Sequence, residues 1–296
     1  MNYWTSTQER SLLCTGIFTF IILSLSANLL AQHSTNLDPD VFQRFTFDEK
    51  LSYAEGLLSP AQFLGYELGE EYTHHYQVVD YFKYLSTNSD RIQVQEYGNT
   101  YEGRSLIYAT ISSASNMTEV MEIKEKNRQL AFHEIEPNSD MPVVVWMSYN
   151  VHGNEPSSSE SAMQAAYRLV AAEDDQTKSW RAESVVIIDP MLNPDGRDRY
   201  ITWYKSSQTN VLNTDVNDLE HDETWPGGRT NHYWFDLNRD WVWLVHPESQ
   251  GRIKVYQEWM PQVHMDFHEQ GANNNYFLMP GTTPRNNELP RGYEDY

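Results

Sequence analysis

The chain has 296 residues, of which 40% are hydrophobic and 13% aromatic, ample material for a packed core, so wholesale disorder is excluded. Its formal net charge of −21 leaves no basic surface to displace phosphate counterions, which argues against a nucleic-acid or anionic-membrane partner. The stretch from Leu12 to Ala31, LLCTGIFTFIILSLSANLLA, follows a lone Arg10, ends on a small residue and gives way to Gln32-His33-Ser34. This pattern predicts a cleavable signal peptide over residues 1–31 and a secreted or periplasmic location. Glu9 beside Arg10 weakens the basic start, so an uncleaved anchor is the competing expectation, and the one route by which a membrane enters. The single cysteine, Cys14, lies inside this stretch. The remaining chain has no thiol, and any metal must be held by His, Asp and Glu.

Residues 32–70 read as an irregular extension, with Asp38-Pro39 and Ser59-Pro60 as turn signals, ahead of a main domain over 71–296. Tyr72, Tyr76, Val79 and Phe82 recur at helical spacing and predict a helix from Tyr72 to Leu85. Ile92–Tyr97 and Leu106–Ile111 read as a strand pair joined across Gly98 to Gly103, and Asn116–Ala131 as a second helix. Val143 to Ser148 is a continuous apolar run of strand length, which suits a strand covered on both faces. Ser157–Ala172 follows as a helix with Pro156 at its start, and Val185–Ile188 as another buried strand. Strand, helix and strand at this spacing predict an α/β fold, an open mixed, largely parallel sheet with helices on both faces. Asn193 to Arg197 reads as a turn and residues 205–232 as a long polar surface loop. Val255–Trp259 closes a helix before Pro261, and Val263–His268 is a last strand.

The chemistry begins at His152-Gly153-Asn154-Glu155, where a His and a carboxylate three residues apart can reach one metal ion. Alone the pattern is weak, because 42 acids in 296 residues (42/296) give each of the ten His about a 14% chance of an acid at that spacing. A second match, His133 with Glu136, falls at the end of a polar helix-like stretch and reads as solvated surface. His152 instead follows a buried strand directly, the place where open α/β sheets bind ligands, and Gly153 allows a sharp turn there. Catalytic zinc sites use three protein ligands and leave one position open. Period-two geometry puts His264, Asp266 and His268 on one face of the last strand, with His268 nearest its carboxyl end. Asn193-Pro194-Asp195-Gly196-Arg197, and Gly227-Gly228-Arg229-Thr230-Asn231 leading to Asp236-Leu237-Asn238-Arg239, add arginines and an asparagine suited to a carboxylate, or else solvated loops.

In this order, HxxE after a strand, NPDG, GR followed by DLNR, and a strand ending in His, the chain resembles the zinc metallocarboxypeptidases over roughly residues 70–280. Tyr97-Gly98 and Tyr101-Glu102-Gly103-Arg104 match how their catalytic domains begin, and the Arg229-to-Asn238 spacing is like the regulatory branch (carboxypeptidases D, E and N). The resemblance implies His152, Glu155 and His268 as ligands of one Zn²⁺, with Asp236 orienting His152. It implies Asn238 and Arg239 as the grip on a substrate's C-terminal carboxylate, and Arg229 as the group that polarises the scissile carbonyl. Arg197 has no such counterpart and reads as a salt-bridging or packing residue. The implied activity is hydrolysis of C-terminal residues from peptides or proteins by a zinc-activated water.

The match stops short of the family's general-base glutamate, which lies on a later strand. Glu288 and Glu294 sit in proline-broken sequence, and Glu269, next to a ligand, should leave the strand on the opposite face. The expectation is therefore a catalytic domain incomplete at its C-terminus, with an exposed sheet edge. Two alternatives stay open, a zinc-dependent deacylase of N-acyl amino acids and a non-catalytic zinc or peptide binder. The acidic run Asp215, Asp218, Glu220, Asp222 and Glu223 reads as a solvated loop, with an acidic lid as the alternative.

Overall fold

The computed structural model describes residues 51–138, 140–209 and 213–271. The stretch 12–31 with Cys14, and Glu288 and Glu294, lie outside the described residues. Among the described residues no helix is long and apolar enough to cross a membrane.

In chain order the elements are α1 (Pro60–Leu64), α2 (His75–Asn88), β1 (Ile92–Asn99), β2 (Ser105–Ile111), α3 (Ala114–Thr118) and α4 (Val120–Ala131). There follow β3 (Val143–Tyr149), α5 (Ser157–Ala171), α6 (Asp175–Glu183), β4 (Ser184–Asp189), α7 (Pro194–Ser207), α8 (Pro247–Trp259) and β5 (Val263–Phe267). The strands form one open sheet in the order β1-β2-β4-β3-β5. β3 runs parallel to both β4 and β5, while β2 pairs antiparallel with β1 and β4. The parallel half is the one the strand-helix-strand spacing predicts, and the hairpin supplies the antiparallel half.

Alternation along the central strands divides the core in two. Val144 and Trp146 of β3, with Val185 and Ile187 of β4, pack against Val120 and Ile123 of α4 and Val255 and Trp259 of α8. Tyr149, Val186 and Ile188 face the other way, onto Val78, Phe82 and Leu85 of α2 and Met163, Ala166 and Val170 of α5. Because both faces are covered, the runs 143–147 and 185–188 are apolar throughout rather than alternating. Burying each large apolar side chain contributes roughly 1.5–3 kcal/mol, which is what holds the sheet between its two helical layers.

Four elements differ from the sequence expectation. α2 begins at His75, not Tyr72, whose ring packs edge-on against Tyr204 of α7 at 4.7 Å. The helix expected over 116–131 is broken at Glu119 into α3 and α4. The extension is not irregular throughout: Ser59 caps α1, and Tyr53 stacks on Tyr167 of α5 at 4.7 Å. The expected turn at Asn193–Arg197 is the capped first turn of α7, with Pro194 at its first position. Asparagine cap, proline and aspartate form a helix-start pattern, and tertiary packing of Tyr200 and Ile201 extends it to Ser207.

Beyond α7, the 3₁₀ turn Leu219–His221 interrupts the polar loop, and a second, Leu237–Arg239, follows it. Among the described residues β5 pairs with β3 alone, and Val263 and Met265 on it are 43% and 46% exposed.

Candidate metal centre

β3 delivers the chain to the site and Asn150 turns it. Its backbone lies in the left-handed region (φ 56°), which asparagine tolerates better than most residues. Its buried Nδ2 donates to the carbonyls of His152 and Glu155, at 2.8 and 2.9 Å, fixing the loop that presents both side chains. A Cβ on Gly153 would lie 2.2 Å from the backbone nitrogen of Arg197 and 2.5 Å from the carbonyl oxygen of Gly228. Gly153 is not among the positive-φ glycines, so its role is this close approach and not the sharp turn expected from sequence. Gly196 meets the same crowding, its Cβ position 2.3 Å from Gly228 O. The loops 150–155 and 227–230 and the first turn of α7 thus pack backbone to backbone. Asn193 ties them further, its Nδ2 donating to Val151 O and to Arg229 O at 3.3 and 3.1 Å.

On this floor His152, Glu155 and His268 converge, and one ligand atom from each lies within 4.8 Å of the others. His152 Nδ1 is 2.7 Å from Glu155 Oε1, and His268 Nδ1 is 3.1 Å from Glu155 Oε2 and 3.2 Å from His152 Nδ1. The outer ring nitrogens each meet a carboxylate: His152 Nε2 lies 3.1 Å from Asp236 Oδ1, and His268 Nε2 lies 3.0 Å from Asp266 Oδ2. A carboxylate at Nε2 takes that N–H, so in the neutral ring Nδ1 carries the lone pair. Two lone pairs and a carboxylate facing one another demand a positive charge between them. Two imidazole nitrogens and a carboxylate oxygen are also donors that zinc accepts, and the fit is therefore good.

Without metal, a proton fills that role. Hydrogen bonds to Asp266 and Glu155 push the His268 ring up to about 10. Burial would raise the Glu155 carboxyl, but the hydrogen bonds from His152 and His268 outweigh it and hold it at about 2. Because the folded His268 value lies above the ordinary 6.5, its stabilising contribution is full below that value and is lost as pH rises through about 10. Glu155 works in the opposite sense, contributing above its ordinary 4.5 and losing that contribution as pH falls through about 2. Zinc must displace the His268 proton, so its apparent affinity should rise about tenfold per pH unit between roughly pH 7 and 9, with a proton released per ion. Chelator competition in weak buffer with a pH indicator checks this, and a flat affinity over that range would contradict it.

The other sequence candidates fall into place around this centre. Arg229 donates from Nε and Nη2 to Asp236 Oδ2, at 3.2 and 3.0 Å, and its Nη1 lies 3.9 Å from Glu155 Oε1. Asn238 Nδ2 approaches His268 Nε2 at 3.5 Å. Arg239 stands exposed at the rim, its Nη1 donating to the carbonyl of Asn238 at 3.2 Å. Arg197 is fully buried and pairs with Glu160 at 2.7 Å while donating to Thr73 O and Pro156 O. It is a buried salt-bridging and packing residue, as expected, and neither a solvated arginine nor one turned to the cluster. His264 packs its ring on Trp241 and Tyr256 and stays out of the cluster, and His133 is exposed.

Glu269 turns away from the centre, accepting from the Ser158 N–H at the start of α5 at 3.2 Å, while its own N–H donates to Glu155 Oε2 at 3.1 Å. Glu223 is neither lid nor solvated acid: it accepts from Asn154 Nδ2 at 2.8 Å and from the Gly228 N–H, clamping the two loops that carry Glu155 and Arg229. The sequence shows Glu223 only as one of an acidic run, and nothing in it signals this clamping role. Asp266 had a signal, the two-residue spacing to His268, but no role was read from it.

The sequence profile of the zinc carboxypeptidases (Peptidase_M14) matches residues 78–276, more than half of the chain and a span that includes all three converging residues. The chain belongs to the zinc carboxypeptidase family. No curated protein matches it in sequence. Among solved structures it is similar to carboxypeptidase A from Helicoverpa armigera, at 16% identity and a TM-score of 0.45, covering 73% of this chain and 49% of that one. It is also similar to a metallo-carboxypeptidase from Burkholderia cenocepacia, at 15% identity and a TM-score of 0.41, covering 66% of this chain and 40% of that one. Bovine thrombin-activatable fibrinolysis inhibitor, solved with tick carboxypeptidase inhibitor, matches at 13% identity and a TM-score of 0.40, covering 68% and 62%. Family membership rests on the profile and not on these distant overlaps. The chain spans about half the length, or less, of the first two carboxypeptidases.

Proposed function

We propose that the chain carries the zinc-holding and carboxylate-gripping part of a metallocarboxypeptidase that hydrolyses C-terminal residues from peptides or proteins. The observation that carries this reading is the convergence of His152 Nδ1, His268 Nδ1 and the Glu155 carboxylate, with the Arg229 guanidinium 3.9 Å from Glu155. His152, Glu155 and His268 would hold one Zn²⁺, which in such a site supplies Lewis-acid activation of water and of the scissile carbonyl. Asp236 contacts the ring of His152 and the guanidinium of Arg229 at once, and in the proposed reaction Arg229 would stabilise the charge that develops on the carbonyl oxygen. Arg239, free at the rim but for one carbonyl contact, and Asn238 beside His268 supply donors for the terminal carboxylate. Glu269 is engaged by the first turn of α5, and the proposal gives it no proton-transfer role. Export through residues 1–31, a short extension to residue 70 and a catalytic domain from residue 71 belong to the same proposal.

The test is turnover by the full-length natural protein. Peptides with a free C-terminus should lose their last residue, and the same peptides amidated should not. Turnover of N-acyl amino acids alone would replace the proposal with a deacylase. Zinc-dependent binding of free C-termini without any hydrolysis would make the protein a peptide binder.

A further inference from the structure

The second histidine of the cluster has its own carboxylate, and the sequence comparison assigns that carboxylate nothing. Asp266 and His268 lie two residues apart at the end of β5, so both side chains leave the same face of the edge strand. Asp266 Oδ2 reaches His268 Nε2 at 3.0 Å, the same arrangement that Asp236 makes with His152 at 3.1 Å. One other group competes for that nitrogen. Asn238 Nδ2 lies 3.5 Å from it and, as a donor, could satisfy it only if Nε2 carried the lone pair, which would leave the N–H on Nδ1, facing Glu155. The carboxylate contact is shorter, and a carboxylate can only accept, so Nε2 carries an N–H; Nδ1, facing the Glu155 carboxylate at 3.1 Å, is the nitrogen left for the ion.

Register places Asp266 beside Ser148 of β3, and Ser148 beside Asp189 of β4, so the two acids flank one row across the sheet. Near this row Arg252 of α8 is fully buried, its guanidinium 3.6 Å over the ring of Trp241, and it is attracted by Asp189, Tyr97, Asp266 and Asp240.

We infer that Asp266 is a positioning residue for the third metal ligand, holding the N–H of His268 on Nε2 so that Nδ1 is presented to the ion. The inference rests on the zinc reading of the cluster. It gives that cluster two outer carboxylates, one for each histidine, instead of one.

The test uses the full chain and Zn²⁺ itself, with chelator competition for affinity, the visible spectrum of the Co²⁺-substituted protein for geometry, and circular dichroism for folding. Asp266→Ala should lower zinc affinity by about 10–100-fold and shift the Co²⁺ bands. Asp266→Asn, which keeps an acceptor oxygen and the same shape, should recover part of the affinity. Wild-type affinity and spectrum in both variants, alongside loss of zinc in His268→Ala, would overturn the role of Asp266 alone. Retained zinc in His268→Ala would instead overturn the ligand assignment beneath it.

Discussion

Replacing His152, Glu155 or His268 by alanine should abolish stoichiometric zinc binding, while His133→Ala should leave it intact. Each of the three contributes one donor to a cluster whose atoms lie within 4.8 Å of one another, and no further His, Cys, Asp or Glu joins it among the described residues. Two remaining donors cannot hold zinc against water at the affinity of a three-ligand site. His133, with its own acid three residues on, is exposed at the end of α4 and serves as the control for the bare spacing. Metal analysis after exhaustive dialysis gives the answer, from about one ion per chain to none in the three variants. Zinc retained at wild-type stoichiometry in all three would remove the basis of the assignment.

The second large effect comes from a residue that touches no ligand. Gly153→Ala puts a Cβ 2.2 Å from backbone atoms of Gly196 and Arg197, and backbone cannot step aside as the end of a side chain can. Overpacking of this kind costs about 1–3 kcal/mol and sometimes more, a substantial part of a domain's 5–15 kcal/mol. The loop must also move away from the 193–197 segment, taking His152 and Glu155 with it, so zinc affinity should fall together with the denaturation midpoint. Gly98→Ala, whose Cβ would meet only the Leu106 side chain at 3.8 Å, is the matched control and should stay close to wild type. Equal midpoints for the two variants would show that the loops do not depend on that close approach.

The sequence was most legible where one physical signal dominated. The apolar runs at 143–148 and 185–188 identified the two central strands, because only strands covered on both faces keep such runs. It failed at Asn193, where the same residues serve equally well as a turn and as a helix cap. What continues the chain as α7 is the packing of Tyr200 and Ile201, which lies beyond local spacing. The break at Glu119 was hidden for the same reason, since α3 and α4 share one helical periodicity.

The candidate centre divides along the same line. By itself the sequence determined which donor types are available, the order in which they occur and their positions after strands, and hence the family and its ligand candidates. Only the tertiary structure decided that His268 crosses from β5 to meet the 150–155 loop, 116 residues away in sequence. It also buried Arg197, turned Glu269 onto α5, made Glu223 a clamp and set Asp266 against His268. Spacing fixes which residues share a face of one element. Contacts between elements depend on sheet order and on how closely loops can approach, and here the glycines at 153 and 196 set that distance.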